Sequence, residues 1–284
     1  MPGGTVTSQA RVFAVPHGPA EGGASGERVM RETTLLKALV AAGVGSRRRV
    51  ADAIKAGQVL VNSAVIEDFQ HPIDTGADMV SVAGRPVSFG STRTLCLMLN
   101  KPRGVVCTTK DERARTTVLD ILPGKFREPG LHPVGRLDMD SRGLLLLTND
   151  GDLTYRLTHP KFGYDKEYQV VVRSRLRPKD VGSLRTGLEL EDGLTSPAAV
   201  EEMRRDPPTY RVVIHEGKKR QVRRMFAALG HRVDDLMRVR VGGLSLGDLP
   251  EGKVRELSRD EIEVLLESRA RAAQPRGSGR QRRA

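Results

Sequence analysis

The stretch from Gly135 to Gly151 limits the possible folds of this chain more than any other. It reads Gly-Arg-Leu-Asp-Met-Asp-Ser-Arg-Gly, then four consecutive leucines, then Thr-Asn-Asp-Gly. A short, continuously apolar run between turn residues is typical of a strand buried on both faces. The stretch therefore predicts a loop that carries Asp138 beside Arg136 and is held by a rigid strand. The alternative is that Asp138 only stabilises a turn through local hydrogen bonds.

The charge balance indicates a polyanionic partner. Lys and Arg total 47 against 35 Asp and Glu, which gives a net charge of +12 in 284 residues. This excess favours nucleic acid but does not by itself separate RNA, DNA and anionic lipid. No apolar run approaches the roughly 18 residues that span a bilayer, and the N-terminal stretch lacks the apolar part of a secretory signal. We therefore predict a cytoplasmic protein with no membrane partner.

The two cysteines, Cys96 and Cys107, lack the spacing of metal ligands. In a reducing compartment they are expected to be buried thiols. We expect no metal and no cofactor.

The N-terminal third predicts a leader and a small domain. Residues 1–30 are rich in Gly, Ala, Pro and Ser and predict a disordered leader. Over residues 31–89 the pattern predicts two short helices and a small sheet. Thr33 or Thr34 caps the first helix, which ends at Gly43, and Ser46 caps the second.

Three arginines, Arg47, Arg48 and Arg49, lie in the first turn of the second helix. Cations there oppose the helix dipole, at about 0.3–1 kcal/mol each, unless an anion compensates. An RNA phosphate would compensate, so we predict RNA binding. A solvated polar face is the alternative.

After a linker at residues 90–93, residues 94–257 predict a larger α+β domain with a mixed, mainly antiparallel sheet and helices packed on it. Strands are expected at 95–99, 143–148, 167–172 and 210–215, and helices at 153–158, 178–185 and 221–229. Residues 258–284 predict a helix from Asp260 to Ala272 that docks by one apolar stripe, then a basic disordered tail. The tail is either an RNA-contacting arm or a solvated end without a specific role.

Two further positions are candidates for substrate contact. Lys101 lies in Asn-Lys-Pro-Arg-Gly after a predicted strand, where a phosphate backbone could approach closely. Tyr168 begins another strand and is either packing or a platform for an unstacked base.

A basic junction follows the predicted strand at 210–215. It contains Lys218, Lys219, Arg220, Arg223 and Arg224. The patch predicts phosphate binding, and helical spacing places Arg220, Arg223 and Arg224 on one face. One of these arginines could therefore reach Asp138.

Two resemblances join these features. The N-terminal pattern resembles the RNA-binding module named after ribosomal protein S-four. Its matching residues are Leu35, Ala38, Leu39, Ala42, Gly43, Gly45, Ser46, Arg47, Arg48, Ile54, Gly57, Val59, Val61 and Asn62. Together with the Lys101, Gly135, Tyr168 and Lys218 segments in this order, the chain resembles the RsuA/RluB family of ribosomal RNA pseudouridine synthases.

This resemblance implies roles for single residues. Asp138 matches the catalytic aspartate, and Arg136 the arginine that helps hold the flipped nucleotide. Tyr168 matches the tyrosine that stacks on the target base, and Arg223 the basic residue that pairs with the aspartate. Asp140 and Lys219 depart from the neutral polar residues common in the family, and Asp140 is not expected to form a catalytic acid pair with Asp138.

The implied reaction is isomerisation of uridine to pseudouridine after base flipping. One ionised carboxylate suffices, as a nucleophile or as a base on the ribose, and the sequence leaves both open. A neighbouring arginine would keep it charged. A glycosidase would need a second carboxylate at a defined separation, and no convincing one is present.

The implied partner is ribosomal RNA or a ribosome assembly intermediate, bound by a monomer. The basic tail and the acidic stretch at 188–193 favour 23S over 16S RNA. The main alternative is an assembly factor that binds ribosomal RNA without catalysis.

Overall fold

The computed structural model describes residues 32–89 and 93–272, with side chains up to residue 267. The predicted leader, most of the linker and the basic tail beyond residue 272 lie outside this range.

The N-terminal unit consists of two helices and two small sheets. Its elements are β1 (Glu32–Thr34), α1 (Leu35–Ala41), α2 (Arg47–Lys55), β2 (Val59–Val61), β3 (Ala64–Val65), β4 (Pro72–Asp74), β5 (Val80–Val82) and β6 (Arg85–Val87). The strands pair in the order β3-β2-β5-β6, and β1 pairs with β4. The predicted helix pair and sheet are present, with a core that includes Leu35, Leu39 and Ile54.

The predicted helix starts are also present. Ser46 caps α2, and its hydroxyl accepts a hydrogen bond from the backbone N–H of Arg49 at 3.3 Å. Thr34 occupies the N-cap position of α1, but its side chain makes no capping hydrogen bond there. Asn62 and Ser63 turn the chain after β2 with positive φ angles of 50° and 71°.

The larger unit is built on one extended sheet. Its first elements are β7 (Cys96–Lys101), β8 (His132–Val134), β9 (Arg142–Thr148), α3 (Gly151–Thr158), β10 (Lys166–Val172), α4 (Pro178–Thr186), β11 (Glu189–Leu190) and β12 (Gly193–Leu194). The later elements are β13 (Ala199–Arg205), β14 (Pro208–Ile214), α5 (Gln221–Ala228), β15 (Val233–Val241), β16 (Leu244–Ser245), β17 (Val254–Glu256) and α6 (Arg259–Ala272). Short 3-10 turns cover Gly124–Phe126 and Pro160–Phe162.

The sheet is mixed and mainly antiparallel, as predicted. Its strand order is β13-β14-β10-β15-β9-β7-β17, with β16 beside β15 and β8 beside β9. β9 and β15 run parallel where Gly143 lies opposite Arg238. Gly143 has φ +104°, and a Cβ there would lie 2.3 Å from the carbonyl oxygen of Arg238. Glycine is therefore required for the two backbones to approach this closely.

Helices cover both faces of the sheet, which explains the four consecutive leucines of β9. Leu145 and Leu147 pack on one face with residues of α4 and α5. Leu144 and Leu146 pack on the other face with residues of α3 and α6. All four are at most 2% exposed, so replacing one with Ala is expected to cost about 2–5 kcal/mol.

Helix α6 docks by an apolar stripe, as predicted, with Leu265 fully buried and Ile262 and Leu266 against the same core. β17 pairs with β7, so the C-terminal elements complete the sheet and its helical cover. None of the helices within the described residues combines the length and apolar character that crossing a bilayer requires.

Candidate active site

A cleft of about 330 Å³ opens beside the Asp138 loop. Its walls come from the loop before β9, the end of α3, the start of β10 and the start of α5. The charged and aromatic residues that line it include Arg136, Asp138, Lys166, Tyr168, Lys219 and Arg220. The fold thus gathers residues from four distant segments at one site.

Asp138 lies in a tight turn that leads into β9. The backbone N–H of Ser141 donates to the Asp138 carbonyl oxygen at 3.1 Å, which closes the turn. The Asp138 side chain is 28% exposed, so a ligand in the cleft can reach its carboxylate. The carboxylate is therefore available for chemistry and is not consumed by stabilising the turn.

Lys101 stabilises this turn by hydrogen bonds to its main chain. Its Nζ donates to the carbonyl oxygens of Pro102 at 2.9 Å, Asp138 at 3.2 Å and Ser141 at 2.8 Å. The side chain is fully buried, and burial lowers the pKa of its ammonium group. This corrects the prediction that Lys101 contacts substrate, because its three donors are directed at main-chain oxygens. Its position makes it a support for the Asp138 turn.

Arg220 lies closer to the Asp138 carboxylate than the sequence predicted. An Arg220 guanidinium nitrogen is 3.7 Å from Asp138 Oδ2, and both of its terminal nitrogens bond the Asp140 carboxylate at 2.7 Å. Arg223, predicted to pair with Asp138, instead lies 3.3 Å from Asp140 Oδ2 and donates to the Asp140 carbonyl oxygen at 2.9 Å. Arg220 is thus the arginine at ion-pair distance from Asp138, while Arg223 interacts with Asp138 only through its charge at longer range, so its predicted role stays a prediction.

Arg220 lies near Asp138 because of the backbone conformation at the start of α5. Arg220 precedes the helix in the left-handed conformation, with φ 51° and ψ 31°. It therefore does not follow the helical spacing that would group it with Arg223 and Arg224. Such a conformation is uncommon for a non-glycine residue and is found preferentially at functional sites.

The ion pairs near Asp138 shift the pKa values of the charged groups around it. The hydrogen bonds from Arg220 lower the pKa of Asp140, and the same bonds raise the pKa of Arg220. Burial lowers the pKa of Arg223, although Asp140 opposes the effect. Asp140 thus anchors the cation that faces Asp138, a role that the sequence did not indicate.

Tyr168 and Lys166 form the β10 side of the cleft. Tyr168 is 8% exposed, belongs to the main core and lines the cleft, so its predicted role as a base platform stays a prediction. Lys166 was not singled out as a site residue, yet it lines the same wall and donates to the Tyr164 carbonyl oxygen at 3.1 Å. Burial, reinforced by the charge of Arg238, lowers the pKa of Lys166 to about 8.

The predicted RNA-binding cations divide into two groups. Lys218 Nζ donates to the carbonyl oxygens of Asp192, Gly193 and Leu194, and Arg224 makes two hydrogen bonds to the Asp192 carboxylate. These two cations therefore fix the β11–β12 hairpin to α5. The exposed cations are Arg47, Arg48 and Arg49 on α2, and Lys219 and Arg220 at the cleft, where the exposed Arg136 also lies.

Both cysteines are free thiols. Cys96 is buried, which raises its pKa to about 12, and Cys107 is partly buried. The backbone N–H of Leu137 donates to Cys107 Sγ at 3.3 Å, so Cys107 packs against the Asp138 loop.

Comparisons with known proteins agree with this architecture. The sequence model of the RNA pseudouridylate synthase family matches residues 96–228. A crystal structure of a pseudouridylate synthase superposes with a TM-score of 0.60 and 31% identity, covering 82% of this chain and 99% of that one. The chain belongs to the RNA pseudouridylate synthase family, and it is an isomerase.

Two relatives come from Bacillus subtilis. Ribosomal large subunit pseudouridine synthase B is 39% identical over 236 residues, covering 81% of this chain and 94% of the relative. An uncharacterized RNA pseudouridine synthase is 38% identical over 239 residues, covering 82% and 98%.

Proposed function

We propose that this protein isomerises a specific uridine of ribosomal RNA, in the 23S molecule, with Asp138 as the catalytic carboxylate. The observation that carries the proposal is the position of Asp138 in a cleft that also contains Tyr168 and Arg220. A carboxylate that acts on ribose, an aromatic ring for the base and a cation that balances the charge thus share one site.

The reaction requires the glycosidic bond between uracil N1 and ribose C1′ to break and a bond between C5 and C1′ to form. The C5 hydrogen leaves as a proton and N1 gains one, so the product is an isomer of the substrate. Asp138 either attacks C1′ or removes a proton from the ribose, and both roles need an ionised carboxylate within reach of the sugar. Arg220, 3.7 Å from Asp138 Oδ2, places a positive charge beside the carboxylate.

A uridine within a helix must leave the stack before it can enter this cleft. Tyr168 would stack on the extruded base, and the exposed Arg136 beside the loop would contact the nucleotide. Both contacts would offset part of the stacking energy that the RNA loses.

The proposed substrate is supported by charge and by the relatives. The exposed arginines of α2 and the overall charge of +12 suit a large folded RNA. The name of the Bacillus subtilis relative with 39% identity refers to the large ribosomal subunit. In this proposal the protein acts as a monomer in the cytoplasm, on free RNA or on an assembly intermediate.

Tritium release tests the role of Asp138, because isomerisation frees the hydrogen at C5. Unmodified 16S and 23S transcripts labelled at C5 are incubated with the wild type, Asp138→Asn and Asp140→Asn. We expect Asp138→Asn to lose at least about 10³-fold in turnover while its RNA affinity stays near the wild-type value. Asp140→Asn is the matched control, since the same change lies two residues away, and it should retain measurable turnover.

Two results would contradict the proposal. Turnover by Asp138→Asn near the wild-type rate would remove the catalytic role. Tight, salt-sensitive binding with no release from any RNA would favour an assembly factor without catalysis. Salt alone does not separate the two, because a fourfold rise weakens any protein that neutralises about six phosphates by roughly 10²–10³.

A further inference from the structure

Three rings lie together at the rim of the cleft, outside the group that faces Asp138. Tyr155 of α3 is 4.9 Å from the ring of His159 and 5.8 Å from the ring of Phe162, measured between centroids. Lys161 Nζ lies 4.8 Å from the ring centroids of both Tyr155 and Phe162. We call Tyr155, His159, Lys161 and Phe162 the rim cluster.

The rim cluster presents an aromatic surface to solvent. Tyr155 is 47% exposed, whereas Tyr164, Tyr168 and Tyr210 are at most 8% exposed. Phe162 packs against the core of the sheet and so anchors the cluster. An exposed ring held edge-on by a partly buried one that packs on the core loses little further freedom when a flat ligand stacks on it.

The rim cluster continues into the cleft. His159 lines the cleft together with Thr158 and Pro160. The Thr158 methyl group lies 3.6 Å from where a Cβ would stand at Gly135, next to Arg136. A chain that places one residue in the cleft can therefore extend over Tyr155.

The opposite end of α3 contacts the N-terminal unit. Lys37 of α1 forms an ion pair with Asp152 at 3.0 Å. An eight-residue helix is about 12 Å long, so the rim cluster lies between the arginine-bearing unit and the cleft. Lys37 balances the charge of Asp152. Arg156, next to Tyr155 in the chain, and Lys161 are exposed cations.

We propose that the rim cluster binds the unpaired base of a nucleotide that flanks the uridine in the cleft. Tyr155 stacks on this base, and Lys161 contacts the adjoining phosphate. Aromatic rings beside cations are the usual means by which proteins hold single-stranded RNA, since every base has a face that can stack. This inference rests on the proposed function in that it takes RNA as the substrate.

Binding to oligouridylate of about twelve nucleotides and to an abasic strand of equal length tests the proposal, because the second probe has phosphates but no bases. We expect Tyr155→Ala and Tyr155→Leu to weaken oligouridylate binding about 5-fold or more and to leave the abasic strand unaffected. Tyr155→Phe should bind like the wild type. Lys161→Gln should reduce the salt slope for both strands by about 0.7.

Met203→Ala is the matched control, since Met203 is 52% exposed on the edge strand β13. Tyr155→Leu keeps the apolar contact with Phe162, so a merely structural role of Tyr155 predicts wild-type binding by that variant. Wild-type affinity of Tyr155→Ala and Tyr155→Leu, or an equal loss on the abasic strand, would overturn the proposal. The test is independent of Asp138, because the binding assay requires no turnover.

Discussion

The support that Lys101 gives to the Asp138 turn can be tested by Lys101→Met, which keeps the length of the side chain and removes its three donors. Leaving a buried carbonyl oxygen without a partner costs about 1–3 kcal/mol. Pro102 and Ser141 would each lose the bond from Lys101, while Asp138 keeps the bond from the Ser141 N–H. The ammonium group is fully buried, so its removal regains part of this cost. We expect a net loss of about 3 kcal/mol.

At about 2–4 °C per kcal/mol for a domain of this size, this loss lowers Tm by about 6–12 °C. The turn should also shift, and a displacement of about 1 Å at a catalytic group can reduce the rate about 10²-fold. Thermal unfolding and tritium release with saturating RNA measure the two effects. Lys179→Met, at an exposed position of α4, is the matched control.

The reasoning predicts that kcat falls in Lys101→Met while KM for RNA stays nearly constant. A raised KM with unchanged kcat and unchanged Tm would refute it and would return Lys101 to the role of a substrate contact.

Three further predictions concern the site and its scaffold. Arg220→Ala should lower kcat about 10- to 100-fold and Arg223→Ala clearly less, because Arg220 faces Asp138; an equal loss in rapid-quench assays would contradict this pairing. RNA affinity should fall as pH rises through about 8, where Lys166 loses its proton. The Lys166→Arg variant should bind RNA with the same affinity across that pH range. If this variant keeps the wild-type pH dependence, Lys166 is not the titrating group. Asp180 is buried, and its hydrogen bond from Arg177 holds its pKa well below the usual range. The ionised carboxylate therefore stabilises the folded state at pH values above about 3.9, the pKa of an aspartate in the unfolded chain, and this stabilisation is lost as pH falls. Asp180→Asn should therefore lower the unfolding free energy by about 1–3 kcal/mol at pH 7 and flatten its acid dependence, and a variant with the wild-type denaturation profile from pH 7 to pH 3 would show that this carboxylate contributes little.

Much of the fold could be predicted because local patterns coincide with buried faces. The leucines of β9 are apolar without interruption, since both faces of that strand are covered. The helix starts at Thr34 and Ser46 follow from residues that suit the N-cap position. Edge strand β13 was missed because its residues are mostly exposed, so its sequence carries no apolar alternation.

The sequence predicted which residues lie at the site but not which side chains contact each other there. Asp138 and Tyr168 lie in one cleft, as expected from their motifs. The pairing of Arg220 with Asp138 depends on a left-handed backbone before α5, which a periodic pattern does not show. Lys101 was predicted to contact substrate because its motif does not reveal that three carbonyl oxygens converge on it. Such convergence is a property of the tertiary fold.

The most direct test of the proposed function is chemical mapping of pseudouridine in unmodified 16S and 23S RNA after incubation with the wild type or with Asp138→Asn. We predict a new site in 23S RNA that appears with the wild type and is absent with Asp138→Asn. A site formed equally by both proteins would contradict the role of Asp138, and a site in 16S RNA would contradict the proposed substrate. The absence of any new site, in free RNA and in assembly intermediates that the protein binds, would contradict the proposal as a whole.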